Sequence, residues 1–268
     1  MNNKNIGVLI PIRLTSERLP GKALREICGR PVAWHLLDRA CASRYVTDPK
    51  QVVVCTTEEP ESDPLVESVE IYGCSAFRGS TDDIIERFHS AFETYGFDAV
   101  IQADGDDPLS ATEYMDLEMD MLLADPSFDI VTSKGLPLGV ATKAFTRPAM
   151  DKVYRQYRTS QNDTGFIYFF TKTDLCKQGL VYPQNPGHVH EKARLTLDYQ
   201  VDFEVFTSIF EALYEPGEVF GLSEVVEYLN AHPSVVEHNL GVDEEYWQRD
   251  REKAQLTYVA NDGSLRKV

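Results

Sequence analysis

Residues 10–22 read Ile10-Pro11-Ile12-Arg13-Leu14-Thr15-Ser16-Glu17-Arg18-Leu19-Pro20-Gly21-Lys22. The apolar run Ile6-Gly7-Val8-Leu9-Ile10 before them has the pattern of a buried strand, and the stretch after them reads as leading into a helix. The segment is therefore a basic loop at the carboxyl end of a first strand, the edge where open α/β sheets bind their ligands. Arg13, Arg18 and Lys22 bring three cations together and Ser16 adds a hydroxyl. Guanidinium forks and an ammonium point charge suit a polyphosphate, and a bound polyanion relieves their mutual repulsion. The plain alternative is a solvated surface loop. The spacing is not that of a GxxxxGK[ST] loop, which disfavours a Walker-type site.

The pattern continues outward from that loop. Apolar spacing over Ala33, Leu36, Leu37 and Ala40 predicts a helix opened by Pro31, with Trp34 and His35 read as packing or surface residues. Strands are expected over 51–57, ending in Thr56 and Thr57, over 74–78 and over 98–103, with another over 128–133. Helices are expected over 64–73, 84–95 and 112–124. Strand and helix thus alternate four times. This predicts an α/β fold, a mostly parallel sheet wrapped by helices, with right-handed crossovers that carry every strand-to-helix loop to one edge. The basic loop, Thr56–Thr57, residues 79–83 and residues 104–107 would then face one crevice.

The second half is less regular. The aromatic run 166–170 reads as a strand with connecting arms, an insertion over roughly 136–192. Residues 194–198 read as a strand ending in Asp198, and helices are expected over 202–213 and 222–230. The tail from 232 is polar and weakly patterned. With no Pro/Gly/Ser linker, residues 1–268 read as one domain.

Composition narrows the partners. The 268 residues carry a formal net charge of -17, which argues against nucleic acid and anionic membranes. An anionic ligand must enter through a local cationic site or ride with a metal. Five cysteines without C-x-x-C spacing, no secretory signal pattern and no membrane-length apolar run lead to the expectation of reduced thiols in a cytoplasmic protein.

Asp104, Asp106 and Asp107 cluster at a strand end, where three carboxylates repel unless a cation lies among them. Mg²⁺ is commonly held by one or two carboxylates together with phosphate oxygens and water. Alternation would point Asp104 and Asp106 one way and Asp107 the other; the alternative is an acidic turn that caps a helix. Asp198 is a second candidate ligand. A phosphate-binding loop and a carboxylate pair together make a metal–nucleoside triphosphate site. His188 and His190, spaced by two and without a third ligand, are a weak signal for a metal site. No Ser/His/Asp or Cys/His nucleophile set can be assembled.

These residues carry a family resemblance. Four motifs in order — Pro11 to Lys22, Arg78-Gly79-Ser80 with Asp82 and Asp83, Gly105-Asp106 with Pro108-Leu109, and Arg194 to Asp198 — resemble the CMP-sugar synthetases. The chain looks like the cytidylyltransferases called spore-coat polysaccharide biosynthesis proteins, and is similar to the CMP-ketodeoxyoctonate synthetases, over residue 6 to about 213. The resemblance implies a Rossmann-like fold and transfer of CMP from CTP to a sugar acid, a 3-deoxy-ulosonic or nonulosonic acid, with release of pyrophosphate. It implies that Arg13, Ser16 and Lys22 hold the triphosphate, that Arg78, Ser80 and Asp82 lie against cytosine and ribose, and that Asp106 and Asp198 hold Mg²⁺. It also implies a homodimer formed through the arm over 136–180. Lys22, Arg13 and Asp106 are the expected catalytic groups; Pro11, Arg18, Thr56, Gly79, Gln102 and Asp104 complete the expected nucleotide site. The chain departs from the family at Asp107, at Gln200-Val201, and at Lys143, where an acid is common. A glycosyltransferase using Asp104-Gly105-Asp106, or a non-catalytic relative, are the competing readings.

Overall fold

The computed structural model describes residues 4–159, 165–242 and 256–267. Seven strands form the central sheet: β1 (Ile6–Pro11), β4 (Val52–Thr57), β5 (Ser75–Gly79), β6 (Ala99–Gln102), β7 (Ile130–Ser133), β8 (Lys143–Thr146) and β9 (Gln178–Val181). Between the first two lies a small hairpin of β2 (Glu26–Ile27) and β3 (Arg30–Pro31). The sheet order is β5-β4-β1-β6-β8-β7-β9, with β8 antiparallel to both of its neighbours. The chain goes outward from β1 through β4 to β5 and then returns to β6 on the other side of β1. The switch point between β1 and β6 opens a crevice at their carboxyl ends.

Strand alternation divides the core in two. Val8, Ile10, Val52 and Val54 join one apolar cluster, while Leu9, Val53, Cys55 and Val100 join the other. The first cluster takes the buried faces of α1 (Val32–Cys41), α2 (Asp63–Tyr72), α4 (Thr112–Ala124), α7 (Gln200–Leu213), α8 (Leu222–Ala231) and α9 (Pro233–His238). The second takes α3 (Ile84–Tyr95), α5 (Arg147–Gln156) and α6 (Tyr168–Thr171). Local chemistry sets the boundaries. Asp83 accepts from the Glu86 N–H at 2.9 Å to start α3, and Gly96, at φ 66°, ends it.

The strand-helix alternation of the first half is present as read, and the helices at 200–213 and 222–231 match expectation. Three expectations are corrected. The aromatic run 166–170 is not a strand: it turns into the one-turn helix α6, because Phe166, Phe169 and Phe170 all enter one core, as helical spacing allows and strand alternation does not. Residues 194–198 are not a ladder strand either; a single bridge joins Arg194 to Leu138. Of the stretch 136–192 read as an arm, β8 and β9 belong to the sheet itself. The polar tail holds α9 and a hairpin of β10 (Thr257–Val259) and β11 (Leu265–Lys267), tied down by Tyr258, which is buried in the second cluster; residues 243–255 lie outside the described residues. No disulfide joins the described cysteines: Cys55 and Cys74 are buried, Cys28 is exposed, and the Cys41 and Cys74 sulfurs stand 3.7 Å apart.

Candidate active site

The basic loop leaves β1 as a closed structure. The Ile12 N–H donates to the Cys55 carbonyl at 3.2 Å, and the Gly21 N–H, in a left-handed conformation at φ 66°, reaches back to the Leu14 carbonyl at 3.1 Å. Leu19 anchors the loop in the core, and its N–H donates to Ser16 Oγ at 3.3 Å. Across the switch point the acidic loop after β6 packs directly on this one. A Cβ at Gly105 would lie 2.2 Å from the Pro11 carbonyl oxygen, so only glycine permits the approach. At Gly139, φ 89°, a Cβ would lie 2.1 Å from the Leu195 carbonyl oxygen; this second close approach brings residues 138–141 against the Asp198 segment.

The result is a cleft of about 680 Å³. Its walls include Pro11, Arg13, Ser16, Arg18 and Lys22 from the basic loop, Asp104 to Asp107 from the acidic loop, Lys143 from β8, and Asp198. At its centre lies Lys22. Its ammonium donates to the Leu197 carbonyl at 2.6 Å, to Asp198 Oδ1 at 3.1 Å and to Asp106 Oδ2 at 3.3 Å. Arg18 donates to the same Asp198 oxygen at 2.5 Å. Burial would lower the Lys22 pKa, but Asp106 and Asp198 together raise it above the ordinary lysine value. Asp198 titrates above the usual carboxylate range, pushed up by burial and then by Asp106, with Lys22 and Arg18 pulling the other way. At Asp106 burial also opposes the charge, yet Lys22 prevails and holds the group below that range.

Asp198 is positioned from behind. Buried Asp202, in the first turn of α7, accepts from the Asp198 and Tyr199 N–H groups at 2.9 Å each, from Arg194 Nε at 3.1 Å and from Asn239 Nδ2 at 2.8 Å. The helix start at Gln200-Val201, where the chain departs from the resemblance, is capped: Asp202 makes the capping bond to the Tyr199 N–H.

Two carboxylates converging on one small cation fit a hard divalent ion that draws its other ligands from phosphate and water. Among the described residues no group of three or more His, Cys, Asp or Glu could hold a metal. Asp106 and Asp198 are thus the pair that could hold Mg²⁺, but only in company with a bound triphosphate.

Other expected site residues lie elsewhere. Thr56 and Thr57 are buried and bonded to Ser62 Oγ at 3.1 and 2.8 Å. Arg78 pairs with Asp63, and Gly79, Ser80 and Asp82 are also outside the cleft lining. Gln102 lies behind the wall, its amide donating to Asp104 Oδ1 at 2.8 Å. His188 shares a 2.8 Å hydrogen bond with the Tyr114 hydroxyl, a packing role. Sequence reasoning missed Arg87 of α3, a buried cation lining the cleft that donates to the Ser80 carbonyl at 2.8 and 2.6 Å. Its signal was a charge at 87 amid the apolar positions 84, 85, 88 and 91.

The comparisons agree with the geometry. A family model described as cytidylyltransferase matches residues 7–213. An uncharacterized protein of Methanocaldococcus jannaschii is 28% identical over 251 residues, covering 93% of this chain and all of that one. The spore coat polysaccharide biosynthesis protein SpsF of Bacillus subtilis is 24% identical over 227 residues, 84% of this chain and 94% of its own. A 3-deoxy-manno-octulosonate cytidylyltransferase of Pelobacter propionicus is 32% identical over 132 residues, about half of either chain. Among solved structures, a cytidylyltransferase from Leptospira borgpetersenii superposes with a TM-score of 0.78 at 26% identity, covering 87% of this chain and 97% of that one. CMP:2-keto-3-deoxy-manno-octonic acid synthetase complexed with CTP shares the fold, with a TM-score of 0.58 at 16% identity over 77% of this chain and 98% of its own. With a basic loop and a carboxylate pair meeting over a sheet switch point, and with a family model spanning most of its length, this chain belongs to the cytidylyltransferase family of CTP-dependent nucleotidyltransferases.

Proposed function

We propose that the protein transfers CMP from CTP to the hydroxyl of a sugar acid, a 3-deoxy-ulosonic or nonulosonic acid, and releases pyrophosphate, making an activated sugar for surface polysaccharide. The observation that carries this reading is the meeting of Lys22 with both Asp106 and Asp198 at the switch point. The name of the Bacillus subtilis relative and the octulosonate enzymes that match half the chain support the acceptor class.

In the reaction, the acceptor oxygen forms a bond to the α-phosphorus while the bond from that phosphorus to the bridging oxygen of pyrophosphate breaks. The hydroxyl proton passes to solvent or to the acceptor's own carboxylate. Positioning and charge neutralisation supply most of the acceleration in such transfers. Arg13, Arg18 and Lys22 line the wall the triphosphate would occupy, and Lys22 would turn from the two carboxylates to the phosphates. Asp106 and Asp198, relieved of Lys22, would hold Mg²⁺. The metal would neutralise the phosphates and lower the acceptor hydroxyl's pKa. A cytoplasmic homodimer is part of the proposal. No helix among the described residues is long and apolar enough to cross a membrane, and the edge strand β9 leaves Leu180 and the adjacent Tyr182 exposed.

The test is pyrophosphate release from each of the four nucleoside triphosphates with Mg²⁺ against a panel of sugar acids, neutral sugars and sugar phosphates. CTP with one or more sugar acids should give turnover. Turnover without CTP preference, or with neutral sugars alone, would overturn the reading.

A further inference from the structure

Two cysteines meet at the edge of the sheet opposite the cleft. Cys41 is the last residue of α1, and Cys74 stands immediately before Ser75, the first residue of β5. Because β5 runs parallel to β4 and β1, its amino end lies away from the crevice at the strands' carboxyl ends. The two residues are 33 positions apart in sequence, yet their sulfurs stand 3.7 Å apart. Among the described residues no third ligand joins them in a metal-binding group, so the pair does not build a metal clip.

The two thiols are unlike. Cys74 has no exposed surface, and its backbone is fixed: its N–H donates to the Val69 carbonyl at 3.2 Å and its carbonyl accepts from Lys50 Nζ at 3.0 Å. Cys41 is partly exposed and sits at a helix end, where the chain opens most readily. A hydrogen bond from Cys74 holds the Cys41 thiol below its ordinary pKa, against its own burial and with help from Tyr72. The other four cysteines shift the opposite way. The bond to Cys41 and burial raise Cys74, and burial raises Cys55 and Cys176. Cys28 is exposed, but what burial it has and the nearby Glu211 carboxylate raise it too. An accessible thiol with thiolate character beside a second, buried thiol is the arrangement that oxidation selects.

We propose that Cys41 and Cys74 form an oxidation site, in which a hydroperoxide oxidises Cys41 and Cys74 closes on it as a disulfide that staples α1 to β5. With hydrogen peroxide, the Cys41 thiolate sulfur attacks one peroxide oxygen. A sulfur–oxygen bond forms, the oxygen–oxygen bond breaks, and the departing hydroxide becomes water with the proton that Cys41 gave up. The Cys74 sulfur then attacks the Cys41 sulfur. The sulfur–sulfur bond forms, the sulfur–oxygen bond breaks, and hydroxide leaves as water with the Cys74 proton. Two electrons pass from the thiols to the peroxide. The sulfurs close from 3.7 Å to about 2.05 Å, a movement within reach of a side chain at a helix end. The disulfide spares Cys41 from the irreversible acids further up the oxidation ladder, and a dithiol restores both thiols.

The experiment treats the reduced full-length protein with hydrogen peroxide and maps its peptides without reduction. The expected product links the Cys41 and Cys74 peptides with loss of two hydrogens, leaves Cys28, Cys55 and Cys176 as thiols, and reverts with dithiothreitol. A cross-link over this loop constrains the unfolded chain and should raise the Tm by about 5–10 °C. In Cys74→Ala, Cys41 should react more slowly and stop at a sulfenic acid that dimedone traps. In Cys41→Ser, at a position exposed enough to tolerate it, Cys74 should stay a thiol at the same peroxide dose, which keeps the test if Cys74→Ala does not fold. Cys28→Ser should cross-link like wild type. Cys41 carried to the sulfinic acid with Cys74 still a thiol, Cys41 joined to another cysteine, or both thiols intact while Cys28 is oxidised overturns the assignment. A cross-link that forms but lowers the Tm overturns the staple.

Discussion

Lys22 and Asp198 stand 176 positions apart in sequence, yet their side chains meet at 3.1 Å. The same ammonium reaches Asp106 at 3.3 Å. Lys22 lies between two carboxylates that would otherwise repel.

Lys22→Met should therefore be destabilising as well as inactivating. It leaves Asp106 and Asp198 facing each other, with Arg18 and Arg194 still close to Asp198. A buried pair that loses one partner typically costs about 3–5 kcal/mol, and the partial solvation of this cleft should reduce that to about 1–3. Thermal melts in saturating CTP, with and without Mg²⁺, check this. Mg²⁺ should raise the variant's Tm more than the wild type's, because the metal takes the place of the missing ammonium. Equal shifts would show that the two carboxylates do not bind the ion together.

Asp106→Asn keeps the shape of the side chain and removes its charge. Turnover should fall by about a thousandfold or more, with the far-UV spectrum unchanged, as expected when a ligand of a catalytic divalent ion is lost. Pyrophosphate release under saturating CTP is the measurement. Near-normal turnover would take Asp106 out of the metal site.

Asp202 acts on Asp198 from behind and does not line the cleft. Asp202→Ala strips acceptors from Arg194, Asn239 and two backbone N–H groups, all but the Tyr199 N–H buried, and should cost about 3–5 kcal/mol. Asp202→Asn keeps one acceptor oxygen and should cost less. The conservative variant should show a raised Mg²⁺ requirement with little change in the CTP KM. A CTP effect as large as the metal effect would contradict a positioning role.

Glu118 provides a pH test separate from the cleft centre. It is fully buried, and its two oxygens accept from Ser133 Oγ at 2.6 Å and Thr142 Oγ1 at 2.5 Å. Burial raises its pKa to about 7, against the pull of those hydroxyls and of Lys143. A carboxyl whose pKa is higher in the folded state binds more protons folded than unfolded. Its contribution is therefore fully present at acid pH and is lost as pH rises from the unfolded value, about 4.3, through about 7, by a total of order 3 kcal/mol. Glu118→Gln should flatten that part of the stability–pH curve relative to wild type, as read from urea midpoints between pH 4.5 and 8. Parallel curves for the two proteins would refute the raised pKa.

Gly105→Ala tests how the two loops meet. The new methyl would strike the Pro11 carbonyl, which is backbone and cannot rotate away. A loss of about 2 kcal/mol or more and a weaker CTP affinity should appear together, because separating the loops disturbs both. A stable, active Gly105→Ala enzyme would mean the approach is not required.

The elements that local pattern dictates were legible in the sequence. Val8 to Ile10 and Val52 to Cys55 are apolar throughout because both faces of a parallel strand are covered, and the core clusters on either side take alternate residues. The helix at 84–95 carries its own cap and its own glycine stop. Strand ends rich in Arg, Lys and Asp mark ligand-binding edges, so Lys22 and Asp106 could be named by residue type and place; Asp198 was named as the end of a strand that the structure does not form. The segments after residue 136 were misread where local pattern is overridden by distant packing. Phe166, Phe169 and Phe170 look like a strand by propensity, but a shared core on α3 and α5 winds them into a turn of helix.

What the sequence determined by itself is the chemistry available: a cationic loop, an acidic turn and a late aspartate, each at the end of an apolar segment. Tertiary structure alone decided which of these groups meet. Lys22 reaches two carboxylates because β6 returns beside β1, and Lys143 reaches the crevice because β8 enters the sheet reversed. Spacing along the chain carries no trace of either, since strand order and direction are set by how whole faces pack.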